Sequence, residues 1–489
     1  MSQITEHDTA TKKRSFFGHP WGLANLAGVE MWERFSFYGM QALLAYYIYY
    51  SVTDGGLGLP QAVAGSIVGA YGGLVYLSAV LGGWVADRVL GAERTLFTAA
   101  CMIMAGHLAL AFVPGVAGLG IGLILVAVGA GSLKTTTSTV LGDLYTREDG
   151  RRDAAFSIYY MGVNIGGLIG PLATSALWGW KGFHWGFALA AIGMALGLVQ
   201  YMLMRRHTIS DASRKPQNPL SAQQKRVWPI IFAAAAIIVV LAVVFGLITA
   251  QNLSTVMVAL VIITVIVLFT VMLRSKQVTA VERKRVLGFI PLFIASAVFW
   301  SLFQQQFTAL AFYADTRLDL NVFGIGIPPS MVQSINPIFI IIFAGIFAAM
   351  WTKLGDRQPS APVKFALGTG IMGVAFLCFL PFAGWADKSV PLIAFAGILF
   401  LFTIAELFLS PVGQSLATKL APTAFHSQMV ALFFLTVSLG SAASGSLAGL
   451  YSAEFEVTYF LVIGLVSIVV AIVLFLVRKP ILKLMGGVR

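Results

Sequence analysis

Residues 28–39, GVEMWERFSFYG, place three charged side chains in a stretch that is otherwise apolar. Glu30, Glu33 and Arg34 are spaced three and four positions apart, so a helix carries them on one face. A charge at the centre of a membrane helix costs roughly 2.5–3.5 kcal/mol on insertion scales, so these side chains must face protein or water. One interpretation is a structural ion pair. The second interpretation is a proton-binding site. One arginine cannot neutralise two carboxylates, so one of the glutamates could bind and release a proton.

A second buried charge is expected in the apolar stretch GAGSLKTTTSTV, which contains Lys134. A lysine far from a helix end cannot extend to water, so Lys134 needs an anionic partner, permanent in a structural pair or transient. Glu406 is the only carboxylate of the apolar segment 390–417. The simplest prediction is a pair of Lys134 with Glu406 across the two halves of the chain. The same two groups would suit the charged ends of a small peptide.

Amide side chains interrupt three further apolar stretches. Asn164 lies in a Gly-rich segment, where it either bonds a neighbouring helix or faces a cavity. Residues 304–306 are three consecutive glutamines, so at least one of them must face the interior. Asn336 precedes Pro337, and a proline within a helix predicts a kink that frees backbone groups toward a cavity.

The composition is that of a polytopic membrane protein. Of the 489 residues 58% are hydrophobic and only 11% are charged, against about 25% charged in ordinary soluble domains. The two cysteines indicate no disulfide framework. Apolar runs of about 20 residues are long enough to span a bilayer. They predict fourteen helices, near 22–50, 60–84, 94–114, 117–142, 154–178, 183–204, 228–249, 253–273, 286–313, 329–352, 364–383, 390–417, 427–450 and 457–477.

Lysine and arginine follow the loops in alternation. Of 32 such residues, 27 fall on the two termini and on every second loop, whereas the opposite loops hold only Lys181, Arg317 and Lys388. Because positive residues are retained in the cytoplasm, both termini are predicted to be cytoplasmic. The net charge of +12 is therefore a topology signal, and we expect no nucleic-acid partner.

The longest polar run divides six helices from eight. The two helices after it are almost free of polar groups, so we expect them to be peripheral and lipid-facing. Without them, six plus six helices remain, as in transporters whose two halves enclose a central cavity. The predicted segments are a cytoplasmic tail 1–20, a six-helix bundle 21–204, a cytoplasmic linker 205–227, two additional helices with their loop 228–285, a second six-helix bundle 286–478 and a cytoplasmic tail 479–489.

Four motifs resemble known transporter signatures. The loop 83–94 is similar to the G-x-x-x-D-R-x-x-G-x-x-[RK] loop of the major facilitator superfamily. Residues 30–39 match E-x-x-E-R-F-x-[YF]-Y-G, residues 159–166 match F-Y-x-x-I-N-x-G approximately, and residues 406–411 match E-x-x-x-S-P. The last three together resemble the proton-dependent oligopeptide transporter family of this superfamily, in its bacterial form.

The resemblance implies an all-α major facilitator fold, with twelve core helices in two bundles and two extra helices between them. It implies a symporter that imports di- and tripeptides with protons, without a cofactor. The proton-coupling residues would be Glu30, Glu33, Arg34, Lys134 and Glu406. The substrate-binding residues would be Tyr38, Gln41, Tyr76, Lys134, Asn164, Trp300, Gln304, Asn336, Glu406, Ser410 and Phe433.

The sequence departs from the family pattern at four of its positions. Gln41 and Gln304 stand where many members carry an arginine and a glutamate that can pair across the outer gate. Thr135 follows the lysine where proline is usual, and Phe433 stands where tryptophan is common. These departures make Lys134 the main cation of the predicted site.

Two other functions remain open at this stage. The first is a major facilitator that transports or exports another small organic substrate, such as a drug or a peptide-like metabolite. The second is a membrane-embedded enzyme or receptor, but the sequence has no P-loop and no cluster spaced for a metal or a nucleophile. We expect a protein that is not an enzyme and acts as a monomer in the bacterial cytoplasmic membrane.

Overall fold

The computed structural model describes residues 16–145, 151–208 and 213–488. The helices of this part are α1 (Trp21–Tyr49), α2 (Gln61–Val85), α3 (Ala92–Phe112), α4 (Gly115–Gly142), α5 (Arg152–Lys181), α6 (Phe183–Thr208), α7 (Ala222–Val244), α8 (Leu253–Arg274), α9 (Ala280–Phe303), α10 (Ala309–Arg317), α11 (Ile335–Leu354), α12 (Ala361–Leu377), α13 (Leu392–Leu420), α14 (His426–Ala448), α15 (Glu456–Leu476) and α16 (Arg478–Leu484). Short strands occur near the ends of α10 and α13. β1 (Leu318–Asp319) pairs in parallel with β4 (Val390–Pro391), and β2 (Asn321–Val322) pairs antiparallel with β3 (Ile325–Gly326).

Thirteen helical segments of the described residues are long and apolar enough to cross a membrane. α1 is not among them, because it carries three charges in five residues. It has 29 residues, and at 1.5 Å per residue about 44 Å of helix is more than the roughly 30 Å of a hydrocarbon core. With α1 the described part has the fourteen spans that the sequence predicts.

The predicted span 286–313 is not one continuous helix. α9 ends at Phe303, residues 304–307 form a tighter helical turn, and α10 begins at Ala309. Between them Thr308 has φ −125° and ψ −102°, which is not a helical conformation. The three glutamines therefore lie at a break in the helix, which the hydrophobic pattern did not predict.

Pro337 lies at the start of α11 rather than in its interior. It is the third residue of α11, where the missing backbone N–H removes no hydrogen bond within that helix. A tighter helical turn at 329–334 precedes α11.

The membrane helices group into two bundles. In the first, α1 packs against α5 and α6, and α3 packs against α4 and α6. In the second, α12 packs against α13 and α15, and α9 packs against α14. The two bundles meet where α2 runs along α14 and where α5 contacts the segment that leads into α11.

Small residues allow α2 and α14 to approach closely. A Cβ atom at Gly69 would lie 2.5 Å from the Cα of Gly445, and one at Gly65 would lie 2.8 Å from the Cβ of Ala448. The G-x-x-x-G runs of both helices, at residues 65–69 and 445–449, thus form a contact within the fold.

The two additional helices differ in their surroundings. α7 has no buried residue and contacts α2 through the rings of Trp228 and Trp84, whose centroids are 4.8 Å apart. α8 is not simply lipid-facing, which corrects the prediction. Ser254 of α8 is hydrogen-bonded to both bundles. Its N–H donates to Ser66 Oγ on α2 at 3.1 Å, and its hydroxyl lies 2.9 Å from Ser446 Oγ on α14. α8 therefore covers the seam between the two bundles.

The described end of the linker is held against the turn between α2 and α3. The N–H of Asn218 donates to the carbonyl of Asp87 at 3.0 Å, and the N–H of Glu93 donates to the carbonyl of Ser213 at 2.9 Å. Gly91 has φ +87°, and a Cβ atom there would lie 2.7 Å from the carbonyl carbon of Arg214. The glycine of this loop motif is thus required both by its own backbone and by the linker that crosses it.

Candidate functional site

The three charged residues of α1 are buried side by side. Glu30, Glu33 and Arg34 are 2%, 0% and 4% exposed. Arg34 Nε lies 3.0 Å from Glu30 Oε1 and 2.8 Å from Glu33 Oε2, within ion-pair distance of both carboxylates. Its single hydrogen is donated to Glu30 Oε1, and Glu33 Oε2 accepts no hydrogen bond. Glu30 Oε2 and Glu33 Oε1 are buried without a hydrogen-bond partner. The arrangement therefore has unused acceptor capacity, as a site that takes up a proton requires.

Aromatic rings of α1 itself and the backbone of α5 surround this charged cluster. The Arg34 guanidinium lies over the rings of Phe37 and Tyr38, with its carbon 5.3 and 5.9 Å from their centroids. Gly166 of α5 approaches so closely that a Cβ atom there would lie 2.2 Å from the carbonyl oxygen of Met31. The glycine of the α5 motif thus lets α5 press against the charged turn of α1.

Lys134 projects from α4 toward aromatic rings of both bundles. Its Nζ lies 4.4 Å from the ring centroid of Tyr76 on α2 and 5.4 Å from that of Phe434 on α14. Lys134 and Glu406 form no ion pair in this conformation, which corrects the prediction of a direct pair. Aromatic faces attract an ammonium group, and these two rings hold the lysine between the bundles, within electrostatic range of Glu30 and Glu33.

Glu406 is the corresponding charge of the second bundle. It lies on α13, where it interacts with the amide of Asn336 from α11. Asn336 Nδ2 donates to Thr403 Oγ1 at 3.1 Å, which orients the amide. Glu406 Oε2 is buried without a hydrogen-bond partner. Asn336 thus interacts with the Glu406 carboxylate, while Oε2 of that carboxylate has no partner and can accept a hydrogen bond from a ligand.

Tyr38 lies between Lys134 and Glu406 in its electrostatic interactions. Its hydroxyl lies within electrostatic range of Lys134 and of Glu406, and Tyr76 and Tyr160 are also within range of Glu406. The cation of one bundle and the carboxylate of the other therefore border the same chamber without touching.

Asn164 does not bond a neighbouring helix. Its Nδ2 donates to the carbonyl of Tyr160, one turn earlier in α5, at 2.8 Å. Tyr160 itself is 48% exposed, although it lies within electrostatic range of Glu406 across the bundles. Both side chains therefore line an open space between the bundles, and the amide oxygen of Asn164 stays available.

Gln41 on α1 and Gln304 at the break between α9 and α10 are both buried. They are 6% and 8% exposed, and Gln41 Oε1 has no hydrogen-bond partner. No hydrogen bond joins the two amides in this conformation. Of the next glutamines, Gln305 accepts from Tyr459 at 2.6 Å, and the carbonyl of Gln306 accepts from Gln333.

The remaining predicted residues line the second-bundle wall. Trp300 is 7% exposed, and its indole N–H has no hydrogen-bond partner. Phe433 packs edge-on against Gly413, where a Cβ atom would lie 2.4 Å from its ring. Ser410 lies one turn after Glu406 on α13 and is half-buried.

Several residues that border the chamber are absent from the predicted site. Tyr159 and Tyr160 belong to the motif at 159–166, and in the structure Tyr159 interacts with Glu30 and Tyr160 with Glu406. Their spacing from Asn164 places Tyr160 on its helix face, so this one could have been found. No sequence pattern predicted a role for Phe434. Only the packing of α14 shows that Phe434, rather than the neighbouring Phe433, lies against Lys134.

The hydrogen bonds that we find between the bundles in the described part lie at mid-membrane or toward the end opposite the linker. Ser438 donates to the carbonyl of Gly73 at 2.7 Å, Ser330 donates to Ser175 Oγ at 2.6 Å, and Tyr46 donates to the carbonyl of Ala311 at 3.1 Å. The chamber is therefore closed at that end, which we call the outer end.

These features define a class: a multi-span membrane protein of the major facilitator fold, with a polar chamber between its two bundles. Comparison with known proteins gives the family. The family model described as "POT family" matches residues 93–479, which is most of the chain. The protein therefore belongs to the POT family of transporters, which confirms the resemblance seen in the motifs and the predicted fold class.

Relatives and solved structures match over nearly the whole length. The chain is 42% identical to the uncharacterized transporter YclF of Bacillus subtilis, over 97% of each protein. It is 41% identical to the di-/tripeptide transporter of Lactococcus lactis subsp. cremoris, over 98% of this chain and 99% of that protein. A crystal structure of a mutant of the peptide transporter POT in complex with alafosfalin superposes with a TM-score of 0.92, at 45% identity and 97% coverage of both chains.

Proposed function

We propose that this protein is a proton-coupled symporter that imports di- and tripeptides by alternating access. The observation that carries the proposal is the chamber in which Lys134 of one bundle and Glu406 of the other face a common space, beside the buried Glu30, Glu33 and Arg34 cluster. The relative in Lactococcus lactis bears the name of a di-/tripeptide transporter. We place the protein in the bacterial cytoplasmic membrane as a monomer with both termini inside.

A short peptide is a zwitterion, and the chamber offers a complement to each end. Glu406, oriented with Asn336, would receive the amino group, and Lys134 would receive the carboxylate. Asn164 and Tyr38 would bond the peptide backbone between them, while Tyr76 and Ser410 line the wall. Because Lys134 is not paired with Glu406, neither group has to be released before the substrate binds.

The proton site follows from Arg34. Its Nε lies within ion-pair distance of both carboxylates and donates its hydrogen to Glu30. Protonation of Glu33 would leave Arg34 to Glu30 and free one side of the guanidinium, so the packing of α1 changes with the charge. A membrane potential of 100 mV contributes about 2.3 kcal/mol per proton moved inward, which supports a concentration ratio of roughly 50.

The test is uptake of labelled dialanine into liposomes that contain the purified protein and carry an imposed pH gradient. We expect Glu33→Gln to abolish gradient-driven accumulation, because a carboxamide cannot exchange a proton, and to leave counterflow of dialanine measurable. The matched control is Glu454→Gln, in an exposed turn. Competition by dipeptides but not by free alanine separates a peptide transporter from an exporter of another substrate. Unchanged driven uptake in Glu33→Gln would refute the proposed proton site.

A further inference from the structure

A group of hydroxyls closes the outer end of the molecule. Tyr50 donates to Asp315 Oδ1 at 2.8 Å, and Tyr49 donates to Asp315 Oδ2. The tyrosines end α1 of the first bundle, whereas Asp315 lies on α10 of the second. Both oxygens of one carboxylate are thus held by phenols of the opposite bundle.

We propose that Tyr49, Tyr50 and Asp315 form a proton-sensitive outer latch, in which the ionised Asp315 carboxylate holds the outer ends of the bundles together. Hydrogen bonds to an ionised acceptor are roughly twice as strong as neutral ones. Protonation of Asp315 weakens both bonds at once and turns one oxygen into a donor. This inference rests on the proposed transport function, since it assigns a second proton site to it, at the end where protons enter.

The described side chains around Asp315 include no cation paired with it, so the two tyrosine hydroxyls are the groups that bind its carboxylate. From α1 they are Tyr49 and Tyr50, with Tyr46 in electrostatic range, and from the loop after α1 Asp54 acts on Tyr50. The nearest cation on its own helix, Arg317, is turned away, with 2.7 Å to Glu456 and 2.9 Å to Asp387. Lys388 is exposed, and its backbone N–H donates to the carbonyl of Thr316. No salt bridge to Asp315 is found among the described residues, so in this conformation its carboxylate is held by the two phenols.

The other contacts at this end carry no charge. Ser330 and Ser175 share a neutral hydroxyl bond, and Gln41 and Gln304 are uncharged and unjoined. Of the hydrogen bonds that we find between the bundles in the described part, only those of Asp315 involve an ionisable acceptor. A proton from the outer side therefore acts on the closed state mainly through this residue.

The experiment measures the distance between the two bundles at the outer end, from a label at position 52 to a label at position 325. Spin labels are attached at Val52→Cys and Ile325→Cys, which are 74% and 69% exposed on the two bundles, in a Cys101→Ser/Cys378→Ser background, and the full chain is reconstituted in lipid nanodiscs. Distances are recorded by double electron–electron resonance while the pH falls from about 7.5 to about 3, a range that brackets the pKa of about 3.9 of an aspartate in a model peptide. The measurement needs no peptide and no transport.

We expect acid to increase the population with the longer outer distance by roughly three- to tenfold, the change produced by weakening one or two hydrogen bonds. Asp315→Asn should show the longer distance at both pH values, and so should Tyr49→Phe/Tyr50→Phe. Tyr47→Phe is the matched control, because Tyr47 packs on Phe183 and Phe187 within its own bundle. It should behave like the unsubstituted chain.

Identical distances in Asp315→Asn and the parent at both pH values would overturn the latch, and so would a parent insensitive to acid. If the double tyrosine variant does not fold, Asp315→Asn decides alone. A working latch in a protein without gradient-driven dialanine uptake would refute the transport function and not the latch. Driven uptake with unchanged distances would refute only the latch.

Discussion

At the scale of single residues, the charges of the chamber are held but not saturated. Arg34 Nε donates to Glu30 and leaves the nearby Glu33 without a hydrogen bond, Lys134 lies over aromatic rings, and Glu406 keeps one oxygen without a partner. Buried charges with incomplete partners are costly, and they are found where function uses them. In this chamber the missing partners are those that a peptide and a proton can supply.

Lys134→Gln is predicted to weaken binding of dialanine by roughly 10- to 150-fold, the loss of one charged hydrogen bond. Binding of dialanine amide, which has no carboxylate, should change little. Isothermal titration of both ligands checks this. The control is Lys364→Gln, which removes another lysine that lies over an aromatic ring, with Nζ 4.1 Å from the Trp351 centroid. Equal losses for dialanine and its amide would contradict a carboxylate role for Lys134.

At the scale of elements, the seam between α2 and α14 sets how the bundles move. Its glycines bring the two backbones into contact, and α8 covers the seam with hydrogen bonds to both helices. The two additional helices, α7 and α8, therefore have different roles. α7 remains exposed, while α8 follows the bundles as they rock.

Gly69→Ala is predicted to lower the thermal stability of the protein in detergent, because its Cβ atom would lie 2.5 Å from the Cα of Gly445. We expect a loss of about 1–3 kcal/mol, as for other overpacked sites. The control is Gly120→Ala in α4, where nothing lies within 4 Å. It should be neutral or raise the stability by up to about 1 kcal/mol through helix propensity. A stabilised Gly69→Ala would show that the seam is looser than the structure indicates.

At the scale of the whole molecule, alternating access requires the outer end to open while the linker side closes. In this conformation the outer end is joined by Ser330 and Ser175 and by the tyrosines of α1. We propose that the bundles rock about the α2–α14 seam, so that these contacts separate in every transport cycle.

A disulfide across the outer end is predicted to stop the cycle. Ser175→Cys/Ser330→Cys replaces two hydroxyls that lie 2.6 Å apart, in the Cys101→Ser/Cys378→Ser background. Oxidation should abolish dialanine uptake into liposomes, and a reductant should restore it, since a covalent bond keeps the outer end closed. Each single cysteine variant should be insensitive to oxidation. Full uptake with a quantitatively formed disulfide would exclude opening at this place.

Local sequence was sufficient for much of this protein. Hydrophobic runs gave the number of spans, and the spacing of Glu30, Glu33 and Arg34 gave one polar face on α1. These features depend on neighbours within a few turns of one helix, and the periodicity of a helix records them. The motif that contains them also predicted the family correctly.

Tertiary structure alone decided which groups meet. It placed Lys134 on the rings of Tyr76 and Phe434 instead of on Glu406, and it broke the helix at Thr308. It also set α8 on the seam and brought Tyr50 to Asp315, 265 positions later in the chain. Such contacts depend on how two bundles are docked in one conformational state, and a helix pattern carries no information about its distance from a helix of the other bundle.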